Sequence, residues 1–235
     1  MRVMAVHEDA LVLTSSLWQT NAVALRSGGE ALLIDSPIFP DELELLPEML
    51  RQSGFAPAGL LATHGDWDHL LGRLAFPEAS LGVAESTAVR IRSEPGVAQK
   101  DLRDADRRHY VRRDRPLSLG SYQSLPVPGK LELGSEELEL YPAEGHTGDG
   151  MILFAPWCGV LICGDYLSDV EIPTFVDKNL YTSTLGRLRS LVERAESVVP
   201  GHGSPMARGD ALRILEEDLA YLADGTVPKG RFTAG

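Results

Sequence analysis

The sequence predicts an α/β (α+β) protein in which two sheets pack face to face with helices outside. Three observations carry this. Short apolar runs bounded by turn residues recur in both halves of the chain. Each half also holds segments with apolar residues at helical spacing. Several apolar runs end at a glycine with an acid or a histidine beside it, which places polar chemistry at strand ends.

Taken in order, residues 11–14, 20–26 and 30–35 read as strands, and Ser27-Gly28-Gly29 supplies a hairpin connection. Residues 41–52 read as a helix, with Leu43, Leu46, Met49 and Leu50 on one stripe, Asp41 near its start and Gly54 after it. Residues 60–63 and 81–84 are further strands, and a short helix is expected over 85–92. In the second half, 130–133 with 137–141, and 151–154 with 159–163, read as strand pairs. A helix over 183–195 carries Leu185, Leu188, Leu191 and Val192. A strand over 197–199 and a closing helix over 212–222 complete the pattern.

Residues 93–128 depart from this grammar. Between Lys100 and Arg115 lie seven basic residues, Lys100, Arg103, Arg107, Arg108, Arg112, Arg113 and Arg115, against four aspartates. A solvated helix with local Asp–Arg pairs is the expectation. The alternative is a lid that attracts an anionic substrate, with Tyr110 and Arg112 as its working side chains. The whole of 1–235 is expected to be a single domain with this charged lid or linker inside it.

Composition narrows the function. The chain has 235 residues, enough for one large core, with 43% hydrophobic and 24% charged residues. Its net charge of -12 repels phosphate backbones, so no nucleic-acid partner is expected. No run approaches the ~18 apolar residues that span a bilayer, so no membrane partner is expected either. The N-terminal stretch has no apolar core followed by a small-residue cleavage site, which points to a cytoplasmic protein. Cys158 and Cys163 read as small buried hydrophobes on opposite faces of a strand, consistent with a reducing compartment.

The densest chemistry is Thr63-His64-Gly65-Asp66-Trp67-Asp68-His69, where His64, Asp66, Asp68 and His69 are all capable metal ligands. His146 lies in Glu144-Gly145-His146-Thr147-Gly148, Asp165 in Cys163-Gly164-Asp165, and His202 in Pro200-Gly201-His202-Gly203. Seven candidate ligands exceed the three that one hydrolytic zinc requires, so a dinuclear site is expected. Asp66 either ligates or accepts a hydrogen bond from a ligand histidine. His7 and His109 read as solvated or hydrogen-bonded residues, and Asp149 as a turn or cap residue. No serine or cysteine sits in a nucleophile-elbow or triad context.

The pattern His-x-Asp-x-Asp-His, followed by His, Asp and His each beside glycine, resembles the metallo-β-lactamase superfamily, from near Asn21 to the last helix. The family motif is His-x-His-x-Asp-His. His64, Asp68 and His69 match it, and Asp66 departs from it. The resemblance implies a four-layer αββα sandwich of two mixed sheets. It also implies two divalent metal ions, zinc first. His64, His146 and Asp66 would hold one ion and Asp68, His69 and His202 the other, with Asp165 bridging; Asp68 and Asp165 would be the catalytic carboxylates.

The expected activity is hydrolysis of an ester, lactone, thioester or phosphodiester by a metal-bound hydroxide. The substrate would be a small molecule, anionic if the basic lid serves it. Tyr166 and Tyr181 are candidate oxyanion donors or, more simply, buried structural tyrosines. Asp66 adds negative charge and oxygen character, which favours iron or manganese over zinc. It thus keeps open a diiron oxidoreductase resembling the diiron domain of flavodiiron proteins. A non-catalytic metal-binding protein is the third reading.

Overall fold

The computed structural model describes residues 1–232. Its first sheet has seven strands in sequence order: β1 (Arg2–His7), β2 (Ala10–Thr14), β3 (Asn21–Ser27), β4 (Glu30–Ile34), β5 (Gly59–Ala62), β6 (Ser80–Ala84) and β7 (Tyr122–Leu125). The first four pair antiparallel through short turns. The last three join parallel, which requires crossovers. Helix α1 (Pro40–Gln52) makes the first crossover and α2 (Gly72–Ala75) lies on the second; α3 (Glu85–Ser93) and α4 (Val97–Arg108) lie on the third. Strands β5 and β6 are covered on both faces, so they read as almost continuous apolar runs.

The second sheet has six strands in the order β13-β12-β11-β10-β9-β8. These are β8 (Gly129–Leu133), β9 (Glu136–Pro142), β10 (Met151–Ala155), β11 (Val160–Ile162), β12 (Ser197–Val199) and β13 (Met206–Ala207). β11 and β12 run parallel through the crossover helix α5 (Lys178–Arg194), and α6 (Arg208–Asp224) closes the chain's last layer.

Three buried clusters define four layers. Val12, Val23 and Ile34 of the first sheet meet Leu140, Leu153 and Val160 of the second between the sheets. Leu13, Leu33 and Val83 point the other way, toward Leu46 and Leu50 of α1 and Leu102 of α4. Ile152, Phe154 and Val198 point outward to Leu188 of α5 and Ile214 of α6. Alternation of side chains across each strand produces this division. The protein is therefore the αββα sandwich that the resemblance implied. Cys158 and Cys163 are free and buried in different layers, on opposite sides of the second sheet.

The differences from the sequence reading have physical causes. β1 is an edge strand with residues 2–5 exposed, so it shows no apolar alternation. β7 lies within the charged 93–128 segment and completes the first sheet as its parallel edge. α5 begins at Lys178, five residues before the expected start at 183, because the Asp177 carboxylate accepts from the Asn179 and Leu180 N–H groups. Within α4, Lys100 and Arg107 both pair with Asp104; Arg113, beyond the end of the helix, pairs back to Asp106. Tyr110 is 97% exposed and Arg112 is exposed. Among the described residues no helix is long and apolar enough to cross a membrane.

Candidate metal centre

The carboxyl ends of β5, β11 and β12 and the loop from β9 to β10 meet at one edge of the sandwich. Each delivers part of the predicted set. β5 runs into His64, and a tight turn over Trp67–His69 brings Asp68 and His69 back beside it. The β9–β10 loop carries His146. Asp165 follows β11, and His202 follows β12. The two sheets are stitched together here: the Asn21 N–H donates to Gly201 O at 2.7 Å, and the Met151 N–H to Thr63 O at 2.7 Å. At position 145, with φ +122°, only glycine fits under α5, because a Cβ would collide with the Tyr181 backbone.

All seven predicted residues converge. Asp66 Oδ2 lies 3.5 Å from His64 Nε2 and 3.7 Å from His146 Nε2. Asp68 Oδ2 lies 3.6 Å from His69 Nε2 and 3.3 Å from His202 Nε2. Asp165 stands between the two groups. Its Oδ2 is 3.7, 3.2 and 3.4 Å from the Nε2 atoms of His64, His146 and His202, and its Oδ1 is 3.1 Å from His69 Nε2. His64, Asp66 and His146 form one compact donor group and Asp68, His69 and His202 another; His64, His69 and Asp165 form a third that overlaps both.

The outer nitrogen of each ring explains why Nε2 faces inward. His64 Nδ1 lies 3.1 Å from Thr63 Oγ1, His69 Nδ1 3.0 Å from Asp35 Oδ2, His146 Nδ1 2.9 Å from Thr174 O, and His202 Nδ1 3.1 Å from Thr20 Oγ1. Such partners fix ring orientation in metal sites. Asp35 in turn accepts from the Thr63 N–H and hydroxyl, at 2.8 and 2.9 Å. With Nδ1 engaged, the Nε2 atoms of His64, His69 and His146, and Asp165 Oδ1, are buried without a hydrogen-bond partner among the described residues. Buried polar atoms are rarely left so. Imidazole nitrogens and carboxylates converging unpaired on one space fit a divalent cation.

The electrostatics agree. Burial pushes the Asp165 carboxyl up, but the imidazoles of His202, His69, His64 and His146 outweigh it and hold the group well below the usual range. Burial pushes Asp66 up as well; His146, His64 and Arg90 more than reverse this. Burial pushes His146 down, yet Asp165 and Asp66 raise it to about 10. Burial likewise opposes the rise of His69 and His202, and the surrounding carboxylates prevail at both. The carboxylates thus favour positive charge at the inward-facing nitrogens.

Several residues hold roles that the sequence did not assign. Asp149 is not a turn or cap residue. It is 1% exposed and accepts from the Gly65 N–H at 2.9 Å and from Arg90 at 2.8 Å, linking the β9–β10 loop to the ligand turn. Arg90, from α3, also donates to Asp66 Oδ1 at 2.7 Å. His109 is half-buried: its ring stands edge-on to Trp18, and its Nε2 is buried without a partner among the described residues. Tyr166 is structural. Its hydroxyl donates to Glu144 O at 2.8 Å and accepts from the His146 N–H at 3.1 Å, which holds the His146 loop. Tyr181 is 1% exposed and its hydroxyl donates to the Asp165 carbonyl at 3.4 Å. His7 is a local residue, accepting from the Asp9 N–H.

An αββα sandwich with a His/Asp centre at one edge defines a divalent-metal-binding class of protein. The sequence profile of the metallo-β-lactamase superfamily matches residues 16–202, and the chain belongs to that superfamily. Solved structures share the fold. A metallo-β-lactamase from Pontibacter korlensis superposes with a TM-score of 0.73 at 18% identity, over 95% of this chain and 99% of that one. The DIM-1 metallo-β-lactamase gives 0.69 at 20% identity, over 93% and 97%. A metallo-β-lactamase family protein from Thermus thermophilus gives 0.69 at 20% identity, over 93% and 81%. At these identities the likeness is one of fold.

Proposed function

We propose that this protein is a dinuclear metal-dependent hydrolase acting on an ester, lactone, thioester or phosphodiester bond of a small molecule. The observation that carries the reading is Asp165. One carboxylate lies within 3.7 Å of four histidine Nε2 atoms belonging to two separate donor groups, the arrangement expected of a bridging ligand. His64, Asp66 and His146 would hold one cation, and Asp68, His69 and His202 the other. Zinc suits the four imidazoles; Asp66 also admits iron or manganese. Such cations, when bound, would supply the Lewis acidity that polarises a scissile bond and activates water.

The chain's own residues do the rest. Asp35, Thr63, Thr174 and Thr20 fix the four rings. Asp165 and Asp68 would supply charge that retains the cations. Tyr166 is not available as an oxyanion donor, because its hydroxyl already serves the His146 loop. The substrate would enter beside Asp66, where Trp67, Arg90, Glu94, Val97, Asp101 and Leu119 line an open recess. Lys100 and Arg107, which pair with Asp104 on the exposed face of α4, support a solvated charged helix there rather than an anion trap.

The competing diiron oxidoreductase reading draws on Asp66. One experiment separates the two. Protein purified without added metal is analysed for its elements and then tested on chromogenic esters, lactones, thioesters and phosphodiesters, and separately for oxygen consumption with a reductant. Hydrolysis without an electron donor, with about two zinc ions per chain, is the expected result. Donor-dependent oxygen consumption with two iron ions and no hydrolysis would overturn the proposal.

A further inference from the structure

We propose that Arg90 is the positioning residue that fits Asp66 to a place where the family motif has histidine. This rests on the metal-centre reading above, but not on which bond is cleaved. The two oxygens of Asp66 face different ways. Oδ1 is 2.7 Å from an Arg90 guanidinium nitrogen, while Oδ2 is the atom that faces His64 and His146. With Oδ1 engaged by Arg90, Asp66 presents one oxygen to the centre, as an imidazole presents one nitrogen.

The charge follows the same logic. Histidine would enter the motif as a neutral ligand, and a carboxylate adds one negative charge. The Arg90 guanidinium, at hydrogen-bonding distance and only partly exposed, offsets that charge locally. Arg90 also faces Asp149 and Glu94, so it offsets only part of the charge that Asp66 adds. Asp66 is nonetheless a weaker electron donor than a free carboxylate, since its outer oxygen is polarised by the guanidinium.

Arg90 is itself held from three sides, as its fork of donors permits. One terminal nitrogen donates to Asp149 at 2.8 Å, the other to Asp66, and Nε to Glu94 at 3.2 Å. Asp149 uses its second oxygen to accept from the Gly65 N–H, so a single network grips the ligand turn on both sides of Gly65. A lysine in place of Arg90 would supply the charge without the fork.

Chelator competition with zinc and manganese tests this on the whole protein, and reads binding without turnover. Wild type, Arg90→Met, Arg90→Lys, Asp66→His and the Asp66→His/Arg90→Met double variant are compared, with circular dichroism to check each fold. Freed of Arg90, Asp66 becomes a fully charged ligand able to offer both oxygens, which favours harder ions. Arg90→Met should lower the zinc-to-manganese affinity ratio about tenfold, the scale on which outer partners of metal ligands act. Arg90→Lys should recover part of it.

In the Asp66→His background, removing Arg90 should leave the ratio unchanged, because the carboxylate it serves is gone. An unchanged ratio in both Arg90→Met and Arg90→Lys would overturn the proposal. So would an equal effect of Arg90→Met in both backgrounds, which is what a purely structural ion pair gives. Failure of the wild type to bind either cation would overturn it together with the metal centre. The expected shifts in a protein that hydrolyses nothing would leave Arg90's role standing and remove the hydrolase reading alone.

Discussion

Gly201 occupies a place where a Cβ would collide with Asp165 Oδ1. The two residues follow β12 and β11, which run parallel, and the Gly201 N–H donates to Gly164 O at 2.6 Å. The carboxylate reaches the centre of the site only because its neighbour strand ends without a side chain. Gly201→Ala should push Asp165 aside and weaken metal binding by about 10–100-fold, the range for disturbing the support of a ligand. Chelator competition measures this, and retention of wild-type affinity would show that Asp165 tolerates displacement.

Asp165→Asn separates charge from shape. The amide fills the same volume beside four histidines but cannot bridge two cations as an anion. Hydrolysis should fall by roughly 100-fold or more, and bound metal from two ions per chain toward one. Far-ultraviolet circular dichroism should not change. Full activity in this variant would remove Asp165 from the chemistry.

Most of the centre was legible because its residues fall at strand ends, where His64, Asp165 and His202 each adjoin a glycine. What supports them was less so. Asp35 and Thr20 lie far from the ligand turn in sequence, and only the pairing of β4 with β5 and the approach of Thr20 to His202 bring them in. An Asp closing the apolar run 31–34 was the available signal for Asp35. Arg90 gave none: it sits on a half-exposed helix, where an arginine ordinarily means solvent. The fold followed the same rule. Buried strands such as β5 and β10 announced themselves by apolar runs. The exposed edges β1 and β7 did not, because edge strands carry weak periodicity.

Arg231 and Asp218 form a buried pair behind the site, at 2.6 Å with side chains 2% and 1% exposed. The same Arg231 nitrogen donates to Ser168 O at 2.9 Å, in the loop that follows Asp165. Removing the arginine alone leaves a buried carboxylate facing no cation and frees that loop. Arg231→Met should destabilise the protein by about 3–5 kcal/mol. Burial already pushes the Asp218 carboxyl up to about 6 in spite of Arg231. In the variant the carboxyl should therefore take up a proton readily, and adding Asp218→Leu should restore much of the loss. Denaturant unfolding checks both variants, and a loss under about 1 kcal/mol for Arg231→Met would refute the role.

His146 is raised from 6.5 to about 10, and His69 and His202 are raised as well. A raised histidine keeps its proton in the folded state after the unfolded chain has lost it. Its contribution is thus complete below about pH 6.5 and disappears as the pH climbs through the folded value. The carboxyls of Asp66, Asp68 and Asp165 are depressed, so theirs is complete above the ordinary aspartate range and fades as the pH falls below it. Stability without metal should peak at mildly acidic pH and decline between about 6.5 and 10. Cations held at these nitrogens would compete with their protons, so loading should release protons and strengthen as pH rises. Melting temperatures of chelator-treated and metal-loaded protein across about pH 5–10 test this. The loaded protein should lose its advantage toward acid and gain it toward base. Parallel curves for the two forms would show that the histidines and the metals do not share a site.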